Sequence, residues 1–137
     1  MFTLSARGVY GLTAVLELAR SYNKGPVQIR DISDAYEIPQ HYLEQLLVVL
    51  KKAGIVESFR GSQGGYALAS SPDHTSVLDV LTCLDGKIEV VPESKRVGPL
   101  EFFWSRIERA VRTCLDKSLD ELLNEKRTAE QHYTYNI

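Results

Sequence analysis

PQHYLEQLLVVLKKAGIVESFRGSQGGY, residues 39–66, changes its hydrophobic period midway. Its first half places Leu43, Leu46, Leu47 and Leu50 at helical spacing, which makes one apolar stripe. Gln40, His41, Glu44, Gln45 and Lys51 fall largely off that stripe and are free to face outward. Lys51 and Lys52 occupy the last turn, where cations favour the negative end of the helix dipole. Gly54 then supplies a helix stop. Ile55, Val56 and Phe59 read as a short strand, residues 61–65 as a turn and residues 66–69 as a returning strand. A helix followed by a small hairpin with Arg60 at its tip is the outline of a winged helix-turn-helix. Double-stranded DNA is therefore the expected partner.

Upstream, residues 4–22 read as a first helix with Val9, Leu12, Val15, Leu16 and Ala19 on its core face, broken by Asn23-Lys24-Gly25-Pro26. Residues 27–29 could form a short strand that pairs with the wing. Residues 30–36 are a short helix, and Glu37-Ile38-Pro39 is the turn into the longer one. Pro39 suits a helix start because its missing N–H costs little there. This order is also open to any small helical domain, so the pattern alone does not settle DNA binding.

Downstream, Ser76 and Asp79 form a capping-box pattern opening a helix that stops at Gly86. Residues 87–98, with Pro92 and Gly98, read as a linker. Residues 99–115 are a long helix. Its apolar face carries Leu100, Phe103, Trp104, Ile107, Ala110, Val111, Cys114 and Leu115, and its other face carries Glu101, Arg106, Glu108, Arg109 and Arg112. That stripe is too large for a small winged domain to bury alone, so a homodimer is the economical solution, with packing inside one chain as the alternative. Ser118 and Glu121 cap a last helix reaching about Arg127, and HYTYNI follows as an aromatic tail. The expected fold is mainly α with a small β wing. A winged helix-turn-helix domain spans 1–86, a linker 87–98, and the dimerisation helix, a short last helix and the tail 99–137.

Length and charge fit this outline. At 137 residues the chain holds one domain, with or without an appended helical element. There is no signal-peptide pattern and no apolar run near the roughly 18–20 residues that span a bilayer, so a cytoplasmic protein is expected. The net charge of −2 divides into +1 for residues 1–60 and −3 for the remainder. The proposed reader is only slightly basic, so dimer geometry must supply part of the affinity. An enzyme is disfavoured: there is no nucleophile elbow, phosphate loop or metal motif, and the glycine-rich residues 61–65 open a strand rather than a helix. A protein-interaction adaptor, and a ligand- or redox-sensing regulator with a pocket beside the long helix, remain as rivals.

Several motifs together resemble a known family. Ala6-Arg7-Gly8-Val9-Tyr10-Gly11-Leu12, Tyr42-Leu43-Glu44-Gln45-Leu46-Leu47, Ala53-Gly54-Ile55-Val56 and Arg60-Gly61 through Gly64-Gly65-Tyr66 are similar to the winged-helix regulators that include IscR, NsrR and CymR, the Rrf family. The similarity covers nearly the whole chain, and Glu130-Gln131 with the chain ending is most similar to CymR, the repressor of cysteine metabolism genes. The resemblance implies a homodimeric regulator on a palindromic operator, by default a repressor. It implies that Glu44 accepts from cytosine, that Gln45 serves adenine or braces the turn, and that His41 contacts base or phosphate. It places Arg60 and Gly61 at the minor groove, with Arg7, Tyr10 and Lys51 as phosphate contacts. Val9 stands where many members carry a basic residue, which removes one such contact. Several members hold an iron–sulfur cluster on three cysteines between the wing helix and the long helix. Residues 87–103 contain no cysteine, and Cys83 and Cys114 read as buried thiols, so no cluster and no cofactor is expected. The resemblance further implies cysteine synthase (O-acetylserine sulfhydrylase) as a corepressor. Tyr135, Asn136 and Ile137 would be the segment it takes up, and a tail packed on the dimer is the other reading.

Overall fold

A computed structural model describes residues 3–135, with side chains to His132. The described residues form six helices: α1 (Ala6–Arg20), α2 (Ile29–Tyr36), α3 (Gln40–Lys52), α4 (Val77–Asp85), α5 (Glu101–Leu115) and α6 (Leu119–Tyr135). Strands β1 (Val56–Phe59) and β2 (Gly65–Leu68) pair antiparallel, with Val56 opposite Leu68 and Phe59 opposite Gly65. Short 3₁₀ turns lie at Pro72–His74 and Glu93–Lys95.

The apolar stripe of α3 is the centre of the core. Leu43, Leu46, Leu47 and Leu50 are all buried. Each such leucine contributes about 1.5–3 kcal/mol by leaving water. Ala14, Val15 and Leu18 of α1, Ile32 of α2, and Val80, Leu81 and Leu84 of α4 close around them. The turn between α2 and α3 is tight. Glu37 takes a left-handed φ of 54°, and Ile38 is buried with its N–H donating to the Ser33 carbonyl at 3.1 Å. Pro39 is the N-cap of α3, one position before the first helical residue.

The expected third strand is reduced to a single bridge between Val27 and Tyr66, each N–H donating to the other's carbonyl at 2.8 Å. This bridge explains one glycine of the wing motif. A Cβ on Gly65, which has φ of 144°, would sit 2.3 Å from the Val27 carbonyl oxygen.

The C-terminal part departs from expectation in two places. The last helix does not end near Arg127 but runs to Tyr135. No glycine or proline follows Pro99 to stop it, and the Lys126–Glu130 pair, four residues apart at 2.5 Å, supports the added turns. Tyr135 therefore ends a helix, whereas Asn136 and Ile137 lie outside the described residues. Helix α6 also folds back onto the winged domain, where Leu119 and Leu123 join the core. Its entry is fixed by backbone pairing, with Val77 N–H on the Lys117 carbonyl and Leu119 N–H on the Thr75 carbonyl, both at 2.9 Å.

The second departure is on α5. Glu108, assigned by pattern to the solvent face, is its one buried residue at 7% exposure. The Arg96 guanidinium lies against its carboxylate, and Arg112 lies 3.7 Å away. The apolar stripe divides around it. Trp104, Ile107 and Val111 are half-buried, whereas Leu100, Phe103 and Cys114 are exposed.

Candidate nucleic-acid interface

The wing and the helix-turn-helix enclose an open groove of about 540 Å³. Glu44 of α3 and Arg60 and Gly61 of the wing are among the residues that line it, with Gln40, Arg30 and Tyr66. Glu44 reaches the groove because it lies off the buried leucine stripe on the second turn of α3. Arg60 reaches it because the hairpin turns immediately afterwards, at Gly61, whose φ of 102° an L side chain rarely adopts. Burial pushes the Tyr66 hydroxyl pKa up, and the Glu44 carboxylate adds to the rise.

The other sequence candidates are distributed around this groove. His41 and Gln45 are exposed on α3 one turn apart, with Nε2 atoms 3.3 Å from each other. Lys51 donates from Nζ to Ser58 Oγ at 2.6 Å, tying the end of α3 to β1. Arg7 and Tyr10 lie on α1 outside the groove. Arg7 Nε donates to the Leu84 carbonyl at 3.0 Å, and the Tyr10 ring packs edge-on against Tyr42 with centroids 6.0 Å apart. Both brace α1 against its neighbours.

Two polar residues of the groove escaped the pattern. Gln28 caps the start of α2 and donates from Nε2 to the Ser62 carbonyl at 3.2 Å, and Arg30 stands in the first turn of the same helix. A cation at the start of the first helix of a helix-turn-helix, just after the Gly25-Pro26 break, was the available signal.

Comparison with known proteins agrees with this fold. The family model described as Rrf2, iron-dependent transcriptional regulator, matches residues 4–125. The iron in that description finds no fitting donor set here. Among the described residues no group of three or more His, Cys, Asp or Glu could hold a metal ion. Burial pushes the Cys83 thiol up, against a smaller opposing pull from Arg7, which disfavours the thiolate a metal needs. The HTH-type transcriptional regulator CymR of Bacillus subtilis is 36% identical over 136 residues, 98% of this chain and 99% of that protein. IscR of Pectobacterium carotovorum is 33% identical over 93% of this chain and 82% of its own length. The solved structure of B. subtilis CymR, described as a global cysteine regulator, superposes with a TM-score of 0.84 at 37% identity, covering 91% of this chain and 98% of that one. No helix among the described residues is long and apolar enough to cross a membrane. With a winged helix-turn-helix, an exposed groove between reader helix and wing, and a family match across most of its length, the chain belongs to the Rrf2 family of transcriptional regulators.

Proposed function

We propose that the chain acts as a cytoplasmic homodimeric repressor on a palindromic operator, and that its targets include genes of cysteine metabolism. The observation that carries the reading is the one groove that Glu44 and Arg60 both line. A carboxylate on an exposed helix face suits a cytosine amino group in the major groove. A wing arginine beside a left-handed glycine suits the narrow minor groove next to it. His41 and Gln45 extend the α3 contact, Gln45 toward adenine. Lys51, Arg7 and Tyr10 face the backbone phosphates, with Arg30 added to their number. Arg7 commits only its Nε to Leu84, which leaves its terminal nitrogens for a phosphate.

In this reading residues 1–86 read DNA and residues 99–137 join two copies. The exposed Leu100, Phe103 and Cys114 form the seam, with Trp104, Ile107 and Val111 at its inner edge. Cysteine metabolism is supported by the description of the B. subtilis relative. Cysteine synthase is the proposed corepressor, taking up Tyr135, Asn136 and Ile137. Loss of those residues without any change in cysteine-synthase binding would remove that step.

The test is an in vitro selection of genomic fragments at fixed moderate salt, with wild type beside Arg60→Ala. Wild type is expected to enrich one palindrome, and Arg60→Ala to weaken binding to it by about 1–3 kcal/mol while relaxing the flanking sequence preference. Enrichment unaffected by the substitution would refute the wing contact, and no enrichment with or without cysteine synthase would refute the DNA-reading function.

A further inference from the structure

The chain between α4 and α5 is held by charge. Ile88 is buried, and its carbonyl accepts from Arg112 Nη2 at 3.1 Å. Val91 accepts from Arg96 Nε at 3.0 Å, and Arg96 folds through the 3₁₀ turn at Glu93–Lys95 so that its guanidinium meets Glu108. Glu108 sits between the two arginines, and its Oε1 and Arg96 Nη2 are shut away from solvent. These contacts set a direction. Residue 88 lies at the level of Arg112 and residue 96 at the level of Glu108, one turn nearer the start of α5. The linker therefore runs antiparallel along α5 for a helical turn before the turn at 98–101, where Glu101 N–H donates to the Gly98 carbonyl at 3.3 Å.

We infer that Glu108 is a positioning residue for operator recognition, fixing the winged domain at one angle to the dimer helix. Ionised groups are withdrawn from water only at a cost, and an apolar residue would pack α5 at least as well. The directional gain of the cluster is that the carboxylate holds the Arg96 guanidinium and draws that of Arg112 by charge alone at 3.7 Å, and each guanidinium fixes a linker carbonyl. The linker is the covalent path from the reader domain to the proposed seam. The angle it sets determines the separation of the two reader helices, and hence which half-site spacing the dimer accepts. Adding one base pair between half-sites moves them apart by about 3.4 Å and turns them by about 35°, which a rigid dimer cannot follow.

This inference rests on the dimeric DNA-binding reading, and the experiment separates the two. Wild type, Glu108→Gln and Arg96→Gln are titrated by fluorescence anisotropy onto the selected palindrome, onto the same half-sites with one base pair added or removed, and onto a single half-site. Sedimentation reports the oligomeric state. Wild type should strongly prefer one spacing. Both variants should remain dimeric and bind the single half-site within twofold of wild type, and their preference for the correct spacing should fall at least tenfold. A purely structural loss would lower half-site binding in parallel and leave the spacing preference intact. That result, or a wild-type spacing profile in the variants, overturns the inference. If Glu108→Gln does not fold, Arg96→Gln, whose side chain is more exposed than that of Glu108, decides alone. A wild type that shows no spacing preference overturns the dimeric reading itself.

Discussion

Helices α3 and α5 are alike on paper and opposite in the structure. Each carries an apolar stripe at helical spacing along 13 and 15 residues respectively. In α3 the four stripe leucines are buried by α1, α2 and α4. In α5 the one buried side chain is a glutamate, while Leu100 and Phe103 remain 47% and 40% exposed. A stripe thus records that a helix needs an apolar partner without recording whose. The demand of α3 is met inside the chain. That of α5 is left open, as a surface meant for a second copy would be, and the inward side of the helix is free for an ionic tie to the linker.

The contrast is most directly broken by truncating each stripe. Leu47 is fully buried, so Leu47→Ala should cost about 2–5 kcal/mol through lost transfer energy and the cavity left behind. For a chain of this size that lowers the thermal midpoint by roughly 10 °C, read by calorimetry at one fixed protein concentration because dimerisation itself raises the midpoint. A shift of only a degree or two would mean that the core is not where the structure puts it. The matching change on α5 is Phe103→Glu, which places a charge at the proposed two-fold seam. The single-chain fold should survive, and sedimentation should move from dimer to monomer at micromolar concentration, a weakening of about a hundredfold or some 2.7 kcal/mol. A Phe103→Glu protein that stays dimeric would assign the seam elsewhere.

The same contrast explains what the sequence revealed. The reader helix and wing were legible because their determinants are local: leucines at helical spacing, a left-handed glycine at residue 61, and Gly65 where the Val27 carbonyl approaches. The Ser76 cap was equally local, with Asp79 N–H donating to Ser76 Oγ at 3.3 Å. Glu108 was not legible. A glutamate among arginines on a helix reads as a solvated face, and its main partner, Arg96, lies in a stretch whose proline and glycine suggest only a linker. The run of α6 past Arg127 was missed because aromatic residues near a chain end resemble a tail, although nothing there breaks a helix. On the candidate interface, Glu44, Arg60 and Gly61 line one groove, while the hydrogen bond of Arg7 to the Leu84 carbonyl depends on how α1 meets α4, which no local pattern encodes.

A smaller test asks whether α6 belongs to the cooperative unit of α3 or to the outlying unit of α5. Glu121 N–H donates to Ser118 Oγ at 3.1 Å, so Ser118→Ala removes the cap and should cost about 1 kcal/mol. With Leu119 and Leu123 in the core, unfolding should remain a single transition, displaced as a whole. An earlier, separate loss of helical signal would detach α6 from the winged domain.

The smallest expected effect concerns the junction of α1 with the end of α2. Tyr36 donates its hydroxyl to Glu17 Oε2 at 2.5 Å, one residue before the left-handed turn that leads into the reader helix. That hydrogen bond raises the Tyr36 pKa above its ordinary 10.0, helped by burial and by the Glu17 charge and opposed by Arg20. The sign follows from proton counting. Below about pH 10 both native and unfolded chains hold the phenolic proton, so this group gives stability no slope there. Above that pH the unfolded chain releases the proton first, and the native state loses stability until its own raised pKa is passed. Tyr36→Phe should therefore lower the urea midpoint by a constant amount up to about pH 10, after which the wild-type advantage shrinks. A midpoint difference that stays flat from pH 8 to pH 11 would show that the Tyr36–Glu17 bond does not form in solution, and that the start of the reader helix is held by the turn at Glu37 and the burial of Ile38 instead.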